Sequence, residues 1–422
     1  MEKASKIASA NGMDIFFVRA PKFKTNSINI FFHDSLSKEN AAKNALIPAV
    51  LRRGCETHPT LQDIANYLEE LYGASFDCGV TKKGEHQIVQ FYIEHISDKY
   101  TGEKAELFEK CFELVFEILT KPVLENGAFK KDFVEQEKEN LRKLIESRVN
   151  DKAQLAVERC FETMCENEPF SVYDYGFVED IEKIDEKNLY EHYQNFLEGL
   201  PVLVYITGDI EEEKLQKVIS RMTSLKRGNI KTIPFGEISK EVKDVKEKVE
   251  KMSVNQGKLS LGFRTNTGPN EMDYYNLLVC NTILGGGIHS KLFQNVREKE
   301  SLAYYAFSRL EKFKGLMVIS SGIEIENKDK AVKIILQQLE DIKQGKISDY
   351  EYESSINTIE TGVRSIMDGQ LQIVDFFLSQ EIAKHQDDFE SLIHQVKKVT
   401  KDDVVKVAGK IKLDTVYFLT AG

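Results

Sequence analysis

The sequence has 422 residues, too many for one small hydrophobic core, and its 41% hydrophobic and 30% charged residues are typical of an ordinary globular protein. Its 57 basic and 68 acidic residues give a net charge of −11, which disfavours non-specific binding to nucleic acid or to an anionic membrane surface. Residues 1–17 contain no apolar signal-peptide core, and no apolar run approaches membrane-spanning length. We therefore expect a cytoplasmic protein with no membrane span and no nucleic-acid partner.

Strand-like and helix-like segments follow one another in blocks. Apolar segments predict strands at Ile28–Phe32, Ile88–Ile93, Val202–Thr207, Leu259–Phe263, Leu316–Ser320 and Thr415–Leu419. Amphipathic helices are predicted to begin at Thr60 and to cover Glu103–Thr120. His33-Asp34-Ser35 is interpreted as a loop, and residues 243–251 as a solvated charged run that enters a strand. Because the helices do not alternate regularly with the strands, the pattern favours an α+β fold over a doubly wound one.

The order of elements repeats along the chain. NALIPAVLRRG, from Asn44, resembles NLLVCNTILGG, from Asn276, and each is followed by an amphipathic helix that ends near a tyrosine. Similar strands, VLVYITGD and TVYFLTAG, close the two halves. The intervening stretch contains glycine and proline and has little periodicity. We therefore predict two similar α+β domains, 1–223 and 243–422, joined by a linker over 224–242.

The cysteines of this chain predict no structural cross-link. The six are scattered, mostly inside apolar segments, and no C-x-x-C motif is present. We therefore expect buried free thiols in a reducing compartment, without disulfide bonds or a zinc cluster.

The segment Gly285–Tyr305, GGGIHSKLFQNVREKESLAYY, contains the clearest candidate binding residues. Gly285, Gly286 and Gly287 cost a helix too much backbone entropy, so the chain is expected to break or turn there. Arg297 and Tyr304 follow on an amphipathic stretch and a β-prone one. A guanidinium and a phenol are both hydrogen-bond donors, which suits them to hold a backbone carbonyl or a carboxylate.

With this segment, the two α+β halves and the overall length, the chain resembles the insulinase/pitrilysin family of inverted zincin peptidases. The smaller members, related to mitochondrial processing peptidase, fit best. The resemblance extends over essentially the whole chain and is most specific from Asn276 to Phe307. It implies two halves, each an antiparallel-rich sheet with helices packed in blocks, that face each other as a clamshell. It also implies that Arg297 and Tyr304 hold the substrate carbonyl; the alternative is that Arg297 pairs with a local acid and Tyr304 merely packs.

The catalytic motif of that family, H-x-x-E-H, is missing from this sequence. In the family two histidines bind zinc and the glutamate acts as general base. The corresponding stretch is Ala45-Leu46-Ile47-Pro48-Ala49, so both histidines are replaced by alanine and the base by proline. A proline at that point is expected to distort or end the helix. The resemblance therefore implies degenerate zinc-site positions at Ala45, Pro48 and Ala49.

Nothing else in the sequence replaces this zinc site. Alignment of FVEQEKENLRKLI with the family's distal helix places Leu144 about where the third ligand belongs. The alternatives in neighbouring registers are Glu137, Glu139 and Glu146. Glu56-Thr57-His58, Glu85-His86 and Glu94-His95 are the tempting clusters, but none places two histidines one helical turn apart. Each of these histidines is interpreted as solvated or as the end of a strand. His289, beside the glycines, is interpreted as lining the groove, as a capping residue or as a surface residue.

Three functional hypotheses follow. The pattern of retained Arg297 and Tyr304 without zinc ligands fits a catalytically silent subunit of a heterodimeric zinc metallopeptidase that acts on peptides or small proteins. It would resemble the inactive, YmfF-like bacterial members of the family, with no cofactor of its own and zinc in an H-x-x-E-H-containing paralogous subunit. The alternative is a non-enzymatic peptide-binding or scaffold protein. An active peptidase with a relocated metal site is the least favoured, since no ligand constellation is evident. Self-pairing of the isolated chain as a homodimer is compatible with each.

Overall fold

The structure is a computed structural model that describes residues 3–101 and 105–422. Its strands are β1 (Ala4–Ala10), β2 (Met13–Arg19), β3 (Thr25–Ser35), β4 (Ser75–Lys83), β5 (His86–Ile96), β6 (Leu124–Glu125), β7 (Ala128–Phe129), β8 (Val202–Gly208), β9 (Lys246–Met252), β10 (Gly257–Arg264), β11 (Ala303–Glu311), β12 (Leu316–Ile323) and β13 (Lys412–Ala421).

Helices occupy most of the remaining chain. The α-helices are α1 (Ala41–Leu51), α2 (Leu61–Glu70), α3 (Leu107–Thr120), α4 (Lys131–Ser147), α5 (Lys152–Met164), α6 (Val178–Ile181), α7 (Glu186–Gly199), α8 (Glu212–Thr223), α9 (Asp273–Gly285), α10 (Lys328–Lys343), α11 (Asp349–Ile366), α12 (Gln370–Ala383), α13 (Phe389–Lys398) and α14 (Lys401–Lys410). A π-helix, whose backbone hydrogen bonds span five residues instead of four, covers Leu292–Lys299.

The strands and helices predicted from the sequence are present. Each predicted strand lies inside β3, β5, β8, β10, β12 or β13. Thr60 caps α2 and forms a capping box with Asp63, which confirms the predicted start of that helix. The helix predicted over Glu103–Thr120 begins at Leu107, and Glu103 itself lies outside the described residues.

One polar segment is assigned wrongly from the sequence, and another enters a strand as predicted. His33-Asp34-Ser35 is not a loop but the end of β3, where it pairs with residues 86–88 of β5. The charged run at 243–251 is largely exposed and enters β9, which begins at Lys246. In both places hydrogen bonds to a neighbouring strand satisfy the backbone, so the strand does not depend on an apolar side-chain pattern.

The chain divides into two compact units. Unit 1 comprises the described residues of 1–147, 172–234 and 370–378. Its sheet has the order β1-β2-β8-β3-β5-β4, in which β2 and β8 are parallel and the other neighbours antiparallel. Apolar residues of α1, α3 and α7 pack on alternate residues of the central strands and form its core.

Unit 2 comprises residues 148–171, 235–369 and 379–422. Its sheet has the order β11-β12-β10-β13-β9, again with one parallel pair, β13 and β9. This order matches β4-β5-β3-β8-β2 of unit 1 strand for strand, and the start of α9 follows the start of α1 by 273 − 41 = 232 residues. The duplication and the α+β class are therefore confirmed. The domain bounds at 223 and 243 stay a prediction, and the described chain between Thr223 and Lys246 contains no helix or strand.

A segment from the first half of the sequence belongs to unit 2. Helix α5 packs on β10 and β13, where Ala156 and Cys160 contact Tyr417 and Leu419. Beyond α5, Glu168 binds the buried Arg264 at 2.6 Å and the buried Lys314 at 2.8 Å. Burial raises the pKa of Glu168, but hydrogen bonds from these cations outweigh it and lower that pKa to about 2. The carboxylate thus fixes residues 148–171 to the sheet of unit 2.

Candidate functional site

The glycine triplet ends α9 and brings it close to β11. A Cβ atom at Gly285 would lie 2.4 Å from the backbone nitrogen of Ser308, and one at Gly286 would lie 2.6 Å from the Cα of Thr282. Only glycine fits at either place, because real Cβ atoms do not approach backbone so closely. The predicted break in the chain is confirmed, since α9 ends at Gly285 and residues 286–290 form bends and turns.

Arg297 lies on the exposed side of the π-helix. Leu292 and Val296 of the same turn are buried, so the guanidinium faces outward, with 44% of the side chain exposed. It stacks over the ring of Phe293 at 4.7 Å, and its Nε lies 3.5 Å from a carboxylate oxygen of Glu298. That acid is itself half exposed, so the pair contributes little to stability and leaves donors of the guanidinium facing solvent.

Tyr304 lies at a bulge in β11, the edge strand of the unit 2 sheet. The ladder pairs Ala303 with Ile323 and Tyr305 with Gly322, so Tyr304 is an extra residue without a partner in the register. Its side chain is 57% exposed, and its hydroxyl donates a hydrogen bond of 2.7 Å to Glu324. That hydrogen bond, followed by the negative charge of Glu324, raises the pKa of Tyr304. Bulges turn a side chain away from the regular alternation of a strand, and here the phenol is directed outside the core.

His289 does not lie in an open groove. It is buried, and its Nε2 lies 3.0 Å from the hydroxyl of Ser355 on α11. Burial lowers the pKa of His289. The histidine therefore fills space next to Gly287.

The degenerate zinc positions lie on a buried helix in unit 1. Helix α1 continues through Pro48 to Leu51, so the expectation that the proline would end it is wrong. The helix is buried on most sides, and this packing outweighs the single backbone hydrogen bond that proline removes. Ala45 and Ala49 present only methyl groups. The carbonyl oxygen of Pro48 accepts a hydrogen bond of 3.2 Å from the thiol of Cys78 on β4.

The polar groups around α1 are already occupied within unit 1. Burial raises the pKa of Cys78 to about 12, so this thiol stays protonated and is a poor metal ligand. On α4, Glu137 accepts a hydrogen bond of 2.5 Å from Arg53, and both side chains are mostly buried. Leu144 lies further along α4 with 44% of its surface exposed. Ala45, Pro48, Ala49 and Leu144 thus offer no side-chain ligand atom to zinc.

A buried polar network lies at the start of α1, and the sequence analysis missed it. His33 and His86 share a hydrogen bond of 2.8 Å, while Asn44 bonds Asp34 at 3.1 Å and His192 at 2.8 Å. Burial lowers the pKa of His33 to about 3 and those of His86 and His192 to about 4. The interpretation of His86 as solvated is wrong, although it does begin a strand. These imidazoles are neutral at neutral pH and hold α1 in place.

Three side chains of types that bind metal ions lie close together, away from Ala45, Pro48 and Ala49 on α1. Cys55, His58 and Glu117 place one ligand atom each within 4.8 Å of one another. The sequence predicts no alternative metal site, and within the described residues this group is a candidate that the sequence pattern did not indicate. The sequence could not reveal it, because Glu117 lies on α3, 60 residues after Thr57.

Comparison with known proteins identifies the family. A family model described as peptidase M16 inactive domain matches residues 183–359. Over 408 residues the chain is 36% identical to the probable inactive metalloprotease YmfF of Bacillus subtilis, covering 97% of this chain and 96% of that protein. The chain belongs to the M16 peptidase family. The resemblance stated from the sequence is confirmed, and this M16 chain is a non-catalytic member of the family.

More distant relatives share the fold of this M16 chain over nearly its whole length. It is 22% identical over 434 residues to the mitochondrial-processing peptidase subunit beta of Saccharomyces cerevisiae, covering 94% of this chain and 86% of that one. A crystal structure of a conserved protein from Enterococcus faecalis superposes with a TM-score of 0.91 at 27% identity, covering 99% of both chains. A peptidase M16 inactive domain from Pseudomonas fluorescens has a TM-score of 0.81 at 17% identity, covering 99% of this chain and 98% of that one. Within the described ranges, no helix combines the length and apolarity needed to cross a membrane.

Proposed function

We propose that this M16 chain is the catalytically silent subunit of a cytoplasmic heterodimeric zinc metallopeptidase that acts on peptides or small proteins. Its partner would be a paralogous subunit that contains H-x-x-E-H. The observation that carries the proposal is the contrast between two sets of residues. Arg297 and Tyr304 expose hydrogen-bond donors in the segment that follows the glycine turn, whereas Ala45, Pro48, Ala49 and Leu144 offer no zinc ligand.

In this proposal the two donors act on the carbonyl oxygen of the scissile peptide bond. Zinc in the partner would supply the activation of water and the polarisation of the carbonyl. The Arg297 guanidinium and the Tyr304 hydroxyl would donate hydrogen bonds to the negative charge that develops on this oxygen. The hydrogen bond from the Tyr304 hydroxyl to Glu324 would break, so that the hydroxyl could donate to the substrate instead. The substrate would lie extended along a sheet edge in the first half of the partner.

A second function, peptide binding without cleavage, is favoured by one feature of unit 2. Within the described residues, β11 ends its sheet with β12 as its strand neighbour, and it exposes Tyr304 and Phe307. An extended peptide could therefore pair with β11 and place side chains against these rings. In this case the isolated chain, or its homodimer, would bind peptides with no partner subunit.

Co-expression with an H-x-x-E-H paralogue tests the first function. The purified pair should cleave a quenched fluorescent peptide, and Arg297→Ala or Tyr304→Phe should each lower kcat about 100-fold, the usual effect of removing one oxyanion donor. Arg364→Ala and Tyr350→Phe are matched controls, since both side chains are similarly exposed on α11, and both should leave kcat unchanged. Full activity of the Arg297 and Tyr304 variants would refute the proposed role. Peptide binding by the isolated chain, together with an inactive pair, would favour the second function.

A further inference from the structure

A turn at the end of α1 places a thiol and an imidazole side by side. The backbone N–H of Cys55 bonds the carbonyl of His58 at 2.9 Å, and the N–H of His58 returns a bond of 3.1 Å to the carbonyl of Cys55. These reciprocal bonds fix the C-x-x-H spacing, and they leave Cys55 Sγ 3.9 Å from His58 Nδ1. Gly54 is required for this turn, because a Cβ there would lie 2.5 Å from the carbonyl oxygen of Pro59.

A carboxylate from α3 completes the group. Cys55 forms a β-bridge with Pro122, and the N–H of Glu56 bonds the carbonyl of Lys121, so the turn is tied to the end of α3. Glu117, one turn before that end, directs Oε2 at the group and binds Lys121 through Oε1 at 2.9 Å.

The side chains around the group are held in place. The ring of His58 stacks on Tyr67 with centroids 4.4 Å apart, which fixes the direction of Nδ1. Cys55 is fully buried, and the side chain of Glu117 is only 13% exposed. A preorganised set of this kind loses little conformational freedom when it binds an ion.

The hydroxyl of Thr57 lies between the three ligand atoms. It is 3.5 Å from Cys55 Sγ, 2.8 Å from His58 Nδ1 and 2.5 Å from the Glu117 carboxylate. The usual zinc–sulfur and zinc–nitrogen bond lengths place the two ligand atoms of a tetrahedral site about 3.6 Å apart. Cys55 Sγ and His58 Nδ1 are 3.9 Å apart, so they need to approach each other only slightly to bind one ion. Rotation of the Thr57 side chain about χ1 would move its oxygen away and open the central position.

We infer that Cys55, His58 and Glu117 form a three-ligand binding site for a zinc ion, with the fourth tetrahedral position open. One thiolate, one neutral imidazole and one carboxylate are the borderline donors that zinc prefers, and together they neutralise its two positive charges. On binding, the thiol proton of Cys55 passes to solvent and the sulfur bonds the ion. The site would fasten the turn after α1 to α3. It is separate from the degenerate positions of the family, and it does not depend on the proposed pairing with a partner.

Metal analysis of the isolated full-length chain tests this site. After incubation with zinc chloride and extensive dialysis, the wild type should retain about one zinc per chain, and its thermal unfolding midpoint should rise relative to chelator-treated protein. Cobalt substitution should give a thiolate charge-transfer band. Cys55→Ser, His58→Gln and Glu117→Gln should each lose most of the zinc, and Cys55→Ser should lose the cobalt band. His394→Gln, an exposed histidine in unit 2, is the matched control and should keep both.

Two results would refute the zinc site. A wild-type chain that retains no zinc and shows no thiolate band would overturn the inference, and so would a full zinc content in Cys55→Ser. Circular dichroism at neutral pH separates loss of metal from misfolding of a ligand variant, and Thr57→Ala provides an independent variant. If the Thr57 hydroxyl only joins the three side chains by hydrogen bonds, Thr57→Ala should lower the unfolding midpoint and the variant should contain no zinc. If the three side chains bind zinc, Thr57→Ala should keep the metal.

Discussion

The segments that begin at α1 and at α9 occupy equivalent places in two sheets of the same strand order, but their polar groups have different surroundings. Around α1 the groups are buried and bonded to each other, as in the Arg53–Glu137 pair and the Asn44 network. After α9, Arg297 and Tyr304 are exposed and bond exposed acids, and Arg297 also lies over the ring of Phe293. The polar groups around α1 thus serve the fold, while Arg297 and Tyr304 add little to stability and keep donors exposed to solvent.

The largest expected effect concerns the glycine turn of unit 2. Gly285→Ala should lower the free energy of unfolding by about 3 kcal/mol, because its Cβ would meet the backbone of β11 and force α9 away. Denaturant unfolding followed by circular dichroism measures this. In Gly362→Ala, inside α11, nothing lies within 4 Å of the new methyl group, and the stability should instead rise by about 0.5–1 kcal/mol. Equal stability of the two variants would contradict the close contact between α9 and β11.

The next effect is acid sensitivity, which should be greater in unit 1. The pKa of His33 falls from 6.5 unfolded to about 3 folded, through burial and the charge of His86. Below pH 6.5 the unfolded chain therefore binds a proton that the folded chain does not. Stability is complete above pH 6.5 and is lost as the pH falls, by about 1.5 kcal/mol for this histidine between pH 6.5 and 5. His86, with its pKa near 4, adds a loss of the same sign.

Hydrogen exchange at pH 7 and pH 5 can locate this loss. Amides of β3 and β5, which carry the two histidines, should lose more protection than those of β10 and β12 in unit 2. His33→Gln should flatten the pH dependence of the unfolding midpoint, whereas His394→Gln at an exposed site should leave it as in the wild type. Uniform loss of protection in both sheets would show that the histidine pair does not control acid stability.

The smallest effect should come from the candidate binding residues themselves. Arg297→Ala and Tyr304→Phe remove only exposed contacts, so their denaturant midpoints should match the wild type. Arg53→Ala, by contrast, leaves the mostly buried carboxylate of Glu137 without its guanidinium and should cost about 1–3 kcal/mol. A marked destabilisation by Arg297→Ala would mean that this arginine serves the fold as Arg53 does.

The sequence predicts the central strands well and the edges poorly. Central strands such as β3, β5 and β10 are apolar enough to be recognised as strands from the sequence. The start of α2 is also recognisable, because Thr60 and the acid three residues later have the spacing of a capping box. Edge strands β4 and β9 are largely polar, because their side chains meet solvent or the ends of helices, and neither was predicted as a strand from its own pattern.

The sequence names candidate site residues, but it does not predict their geometry. Arg297, Tyr304 and the missing ligands at 45, 48 and 49 are visible in the sequence through the family resemblance. The π-helix under Arg297 and the bulge at Tyr304 have no sequence signal, since both depend on how β11 is paired. Helix α1 continues through Pro48 despite the low helix propensity of proline, because burial of α1 outweighs one lost hydrogen bond. The sequence does not predict the approach of Glu117 to Cys55, because the two residues are far apart in the chain.

Residues 148–171 lie in unit 2 although they precede strand β8 of unit 1, and residues 370–378 lie in unit 1 although they follow most of unit 2. A single cut in the connecting stretch would therefore yield two fragments, each carrying a piece that the other needs. The C-terminal fragment would keep Arg264 and Lys314 but lose Glu168, the carboxylate that binds both, and Arg264 would retain its bond to Asp414. Fragments made separately should fold poorly and should recover structure when mixed, as in a split reporter protein. The interleaved chain makes the two halves dependent on each other for folding.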